Sequence, residues 1–261
     1  DIAMFSGLLL GVLMSLALPQ VASRVSAFFD RAVSLAFKVL TCIVPIFIAG
    51  FVVKLNHDKL VHIIARDYAV IFALVALSLA AYIACIYFVS SRFRLPAFIA
   101  SIKNMFPAAI AGFSSMSSAA AMPLTIMGAE KNSQNPTLAR LAIPTTVNIH
   151  LIGDCFAIPI FAFAVMKNYG MPEPMFYSYL IFALYFVLAK FSVAAIPGGG
   201  ILVMLPILES QLGFTAEMGS MITALYILFD PVITCANVLG NGGFAMMLDR
   251  LKNPESLPEK G

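Results

Sequence analysis

The sequence predicts an all-α integral membrane protein: a multi-spanning helical fold with two re-entrant helical hairpins and two broken transmembrane helices. Three observations predict it. Of 261 residues, 61% are apolar and only 11% charged, with mean hydropathy +0.95. A soluble domain carries roughly 25% charged residues, so the bilayer is the solvent for most of this chain. Two of its long apolar runs are interrupted near the middle by small or Pro-Gly residues. Each interrupted run is then followed by an apolar segment with an asparagine near its centre.

Apolar runs bounded by charge place segments at about 3–18, 32–53 and 68–90. The longer ones suffice to cross a hydrocarbon core of ~30 Å at ~1.5 Å per residue. The run 97–128 carries SSMSSAAAMP, the run 138–166 carries TTVNIHLIGD, the run 175–209 breaks at AIPGGG, and the last run, 219–247, contains FDPVITCANVLGNGG. A Ser/Ala tip and a Pro-Gly tip leave arms too short to span comfortably. Non-helical backbone at membrane depth is tolerated only where protein or water covers it, so both runs read as re-entrant hairpins. A plain spanning helix with small packing residues is the rival for the first, and a loop between two short buried helices for the second. Paired discontinuous segments in corresponding halves point to a transporter's midplane site.

The chain divides on this reading into scaffold-type helices over 1–66, a transport-type domain over 67–250 and a polar tail over 251–261. DIAMFSGLLL lacks a charged n-region and a small-residue cleavage site and is not read as a signal peptide. With the first hairpin and the C-terminus entering from the cytoplasm, ten basic residues fall inside, among them Arg92, Arg94, Arg140 and Arg250. Only Lys54, Lys59, Arg66 and Lys167 fall outside, in keeping with the positive-inside rule. The net charge of +3 is scattered, which excludes a nucleic-acid partner. Cys42, Cys85, Cys155 and Cys235 show no paired spacing, so neither a disulfide framework nor a zinc site is indicated.

Ionisable groups in a bilayer are expensive and therefore functional candidates. Asp230, Thr234, Asn237 and Asn241 recur at i, i+4, i+7 and i+11, on one helical stripe. One acid, one hydroxyl and two amides suit a zwitterionic ligand; a polar seam between packed helices is the plainer reading. TTVNIHLIGD offers Thr145, Thr146, Asn148, His150 and Asp154. His150 and Asp154, at i and i+4, are placed to pair, either as a proton relay or as a packing lock. Lys190 reads as a snorkelling residue without a role. At both tips the second arm starts with free N–H groups, at Ser117 and Ser118 and at Gly198, Gly199 and Gly200, where a carboxylate can be held.

The order of these parts resembles the dicarboxylate/amino acid:cation symporters, the glutamate-transporter homologues. KVLTCIVPIFIAGFVV looks like that family's fifth helix, SSMSSAAAMP its serine-rich first tip and AIPGGGILVML its second. FDPVITCANVLGN matches the eighth-helix pattern D-x-x-x-T-x-x-N-x-x-G-D except at the last acid. The resemblance covers nearly the whole chain and leaves the family's N-terminal helices without a counterpart. It implies a cation-coupled symporter moving its transport domain like an elevator, a homotrimer, and a home in a bacterial inner membrane. It implies that Asp230 holds a substrate amino group, that Asn237 with Ser117 and Ser118 holds its carboxylate, and that Thr234 lines the pocket. Sodium is implied at Asn148, Asn237 and Asn241.

Departures from the family matter as much. Ile233 stands where an arginine commonly reads an acidic side chain, so the resemblance argues against an acidic substrate and for a small amino acid or related carboxylate. His150 and Asn241 replace two family acids, which leaves the coupling ion open between Na⁺ and H⁺, with Asp154 as a displaced acid. No other cofactor is implied. Two different readings stand beside this one: an intramembrane aspartyl protease with Asp154 and Asp230 as its dyad, and a channel or non-transporting relative.

Overall fold

The computed structural model describes residues 68–193 and 197–252, with scattered helical positions between residues 13 and 53. The chain divides into two compact units, Asp1–Asp58 and Lys59–Gly261. The expected segments at 3–18 and 32–53, and the tail beyond 252, lie outside the continuously described residues.

Every regular element among the described residues is helical. In chain order they are α1 (Ala69–Ser90), α2 (Leu95–Ser115), α3 (Ser118–Asn132), α4 (Pro136–Thr146), α5 (Ile152–Asn168), α6 (Phe176–Lys190), α7 (Gly199–Leu212) and α8 (Ala216–Lys252). Helices α1, α2 and α8 are long and apolar enough to cross a membrane; α6 and α7 are shorter apolar helices. Large side chains such as Leu77, Phe176 and Leu184 point outward and stay exposed. That pattern belongs to a protein whose outer solvent is hydrocarbon.

Helix α8 is the centre of the unit. It packs against α1, α2, α3, α4, α5 and α7, and its own residues are mostly buried. Small residues let the helices approach closely: a Cβ on Gly112 would come within 2.9 Å of Val238 Cγ2, and one on Gly128 within 2.7 Å of the Asn104 carbonyl. Without a hydrophobic drive between helices in lipid, such close packing and interhelical hydrogen bonds hold the bundle. Asn104 Nδ2 donates to Asn132 Oδ1 at 2.8 Å, and Asn132 Nδ2 donates to the Ser101 carbonyl at 2.9 Å, tying α2 to α3. At the far end, the buried Asp249 carboxylate accepts from the amides of Gln134 and Asn135 at 2.8 and 3.2 Å. Tyr87 donates to the Leu239 carbonyl, fixing α1 on α8.

Both expected interruptions are real turns. Between α2 and α3, Met116 adopts a left-handed conformation (φ 50°) and Ser117 caps α3 by accepting from the Ala120 amide. Between α6 and α7, Gly198 sits at φ +70°, where a side chain would be strained, and serves as the N-cap of α7. The two helices expected to be broken differ. The run 138–166 does break, at 147–151, into α4 and α5. Helix α8 instead continues through Pro231 to Lys252: the surrounding helices clamp it from several sides, so the lost amide donor leaves its course uninterrupted.

Candidate functional site

The polar stripe on α8 forms as its periodicity requires. Asp230, Thr234, Asn237 and Asn241 are all buried within the bundle. An unpartnered polar group is costly at this depth, so each finds neighbours. Thr234 Oγ1 donates to Asp230 Oδ1 at 3.0 Å, and the Gly198 amide donates to Asp230 Oδ2 at 2.9 Å. The Pro-Gly tip is thereby latched to the aspartate of α8.

Asn237 faces α5. Its Oδ1 accepts from the Gly153 amide at 2.7 Å, and its Nδ2 donates to Asp154 Oδ2 at 2.9 Å. The approach is so close that a Cβ on Gly153 would collide with the backbone of Ile233. Both polar atoms of the Asn237 amide are therefore engaged inside the protein.

Asp154, 2% exposed, is where the most elements meet. It lies in the first turn of α5, where the helix dipole favours a negative charge. Tyr226 of α8 donates to its Oδ1 at 2.7 Å, and Lys190 Nζ, at the end of α6, stands 3.2 Å from the same oxygen. A Cβ on Gly200 would run into Asp154 Oδ1 and the Tyr226 hydroxyl, so the start of α7 rests on this pair as well.

Two sequence expectations are corrected here. His150 and Asp154 do not pair: the helix breaks at 147–151, so the i,i+4 geometry is lost. His150 instead stacks on Phe244, ring centroids 4.9 Å apart, with its Nδ1 buried and unpartnered. Lys190 does not snorkel; it is 4% exposed and ion-paired to Asp154. Tyr226, missed in the sequence, stands four residues before Asp230 on the same face of α8, and that spacing was the signal that could have found it.

Between the two tips and α8 lies a small cavity of about 10 Å³, whose walls include Ser118, Asp154, Gly200, Asp230, Thr234 and Asn237. That is about the space of one water molecule. Ser117 is half-buried beside it at the N-cap of α3, and Gly199 is buried in the first turn of α7. Asn148 is exposed in the 147–151 break. Asn241 Nδ2 donates to the Asn237 carbonyl at 3.0 Å and lies 3.4 Å from the His150 carbonyl, while its Oδ1 is buried without a partner. Among the described residues, no cluster of three or more His, Cys, Asp or Glu side chains is placed to hold a metal ion.

Compared with known proteins, residues 2–251 match the model of the sodium:dicarboxylate symporter family. No curated protein is similar enough to the chain to count as a match.

Proposed function

The chain belongs to the sodium:dicarboxylate symporter family, and from that premise we propose that it carries a small amino acid or related carboxylate together with a cation. It is an integral membrane protein and a cation-coupled symporter of that family, not an enzyme. The elevator mode, the substrate and the residues that bind it are our reading.

One observation carries it. The amide of Gly198, in the tip between α6 and α7, is hydrogen-bonded to Asp230, which also lines a cavity too small for an amino acid. A ligand ammonium would take the same carboxylate oxygen, so substrate entry and tip displacement are one event. Released from Asp230, the N–H groups around Gly198 and Gly199 face the N-terminal end of α3 at Ser117 and Ser118. Two helix N-termini are then available for a ligand carboxylate. Thr234 lines the space between. With Ile233 where a guanidinium would read a second carboxylate, the pocket favours a neutral side chain.

For the coupling cation, the buried and unpartnered Oδ1 of Asn241 supports a place near the 147–151 break, where backbone carbonyls are freed from helical bonding. The same reading makes α2–α3 and α6–α7 re-entrant hairpins, residues 1–66 the scaffold of a homotrimer, and the C-terminus cytoplasmic in a bacterial inner membrane.

The test is uptake by the full chain in liposomes, with a panel of labelled amino acids and separate sodium and proton gradients. Saturable uptake of a small neutral amino acid, lost in Asp230→Asn, is expected. Uptake that does not saturate would favour a channel, and uptake intact in Asp230→Asn would remove Asp230 from the site.

A further inference from the structure

Two buried carboxylates line the cavity, and their surroundings differ in charge. Asp154 has its own cation: Lys190 Nζ at 3.2 Å, both side chains almost fully buried. Its oxygens are also covered by Tyr226 on one side and Asn237 on the other. Asp230 has only neutral donors, the Gly198 amide and the Thr234 hydroxyl, and no cationic side chain among the described residues. A buried carboxylate without a counter-charge calls for a cation from outside; one that carries its own does not.

We propose that Lys190 is a tethered cation, occupying at Asp154 the place that a free coupling cation would otherwise take and so setting how many ions the carrier needs. The inference rests on the carrier reading above and deepens it. Three features support a fixed rather than exchangeable charge. Lys190 sits at the last turn of α6, on the arm leading into the tip, so its ammonium is delivered by the chain itself. Its ammonium stands over the Phe186 ring, 5.2 Å from the centroid, which stabilises a cation there. The Gly200 backbone closes over Asp154 from the other arm of the same hairpin, leaving no room for a hydrated ion beside the ammonium. What remains for solutes is Asp230 and the cation position near Asn241. One ligand ammonium and the cation near Asn241 then complete the charge balance.

The experiment needs no transport. The full chain, in detergent, is melted in sodium chloride and in choline chloride at equal ionic strength, as wild type, Lys190→Met, Lys190→Arg and Lys190→Met/Asp154→Asn. Lys190→Met uncovers the carboxylate, so its melting midpoint should fall in choline and recover in sodium by more than the wild type gains. Lys190→Arg should keep the wild-type response, and the double variant should lose the extra sodium response. A Lys190→Met protein that responds to both salts as the wild type does would overturn the proposal. So would an equal sodium gain in the double variant, because the ion would then not be at Asp154. Should Lys190→Met fail to fold in both salts, a folded double variant upholds the charge argument, and failure of both overturns it in favour of packing. Absence of uptake by the wild type would sink the carrier reading and leave these outcomes unchanged.

Discussion

The two hairpin tips are built from the same plan and held in different ways. The α2–α3 tip closes on itself: Met116 takes the left-handed turn, Ser117 caps α3, and the Ser115 hydroxyl bonds back to the Ala111 carbonyl at 2.6 Å. Its arms press on α8 through small residues, as where Gly112 meets Val238. Among the described residues of the α6–α7 tip, the N-cap Gly198 gives α7 no side-chain cap. The tip is held by the Gly198 amide on Asp230 and by Lys190 on Asp154, both of which lie on other elements. The first tip is thus supported by its own residues and the second by buried acids on other elements; in the function proposed above, it is the second whose bonds a charged ligand displaces.

The comparison breaks most sharply at Asp154. Replacing it by alanine leaves the Lys190 ammonium buried without its carboxylate, and Tyr226 and Asn237 without their acceptor. Losing one partner of a buried pair costs about 3–5 kcal/mol. Denaturant or thermal unfolding of Asp154→Ala in detergent should register that loss. A loss within about 1 kcal/mol, the scale of an ordinary exposed ion pair, would mean that Lys190 on Asp154 does not anchor the α6–α7 tip, leaving only the Gly198 amide on Asp230 to set the two tips apart.

Tyr226→Phe sharpens the same point with less damage. It removes one hydrogen bond to a charged acceptor and keeps the ring, an expected cost of about 1.5–3 kcal/mol. The Lys190–Asp154 pair survives, so the variant should fold and its unfolding midpoint should lie between those of wild type and Asp154→Ala. A midpoint equal to that of the wild type would show that the hydroxyl contributes nothing to the anchoring of α7 on Asp154.

What could be read from the sequence follows from how local the signal is. The stripe from Asp230 to Asn241 was legible because α8 is regular and its period projects four polar residues onto one face. The tips were legible because Ser-rich and Pro-Gly stretches punctuate apolar runs. The hub around Asp154 was not: Tyr226 and Asn237 reach it from 72 and 83 residues away, and no pattern in a single sequence joins them. Lys190 was misread because a lysine ending an apolar helix usually runs out to water; here the chain turns inward at that point. The His150–Asp154 pairing failed for a related reason. It assumed helical spacing across a segment in which Pro144 precedes a break, and the new helix begins only at Ile152, where Gly153 packs against the Ile233 backbone.

The smallest effect expected is at the self-contained tip. Ser117→Ala deletes the side-chain cap that accepts from the Ala120 amide, and N-cap losses typically cost about 1 kcal/mol. Glycine in the same place should cost only a few tenths of a kcal/mol, since it tolerates the cap conformation and lets water reach the amide. The informative measurement is the combination with Tyr226→Phe. If the α2–α3 tip is held by its own cap and the α6–α7 tip by the buried acids, the two unfolding losses add, because neither substitution touches the other's partners. A double variant less stable or more stable than the sum would mean that the tips share one support across the cavity. Opening one would then loosen the other, and the α2–α3 tip would move with its neighbour.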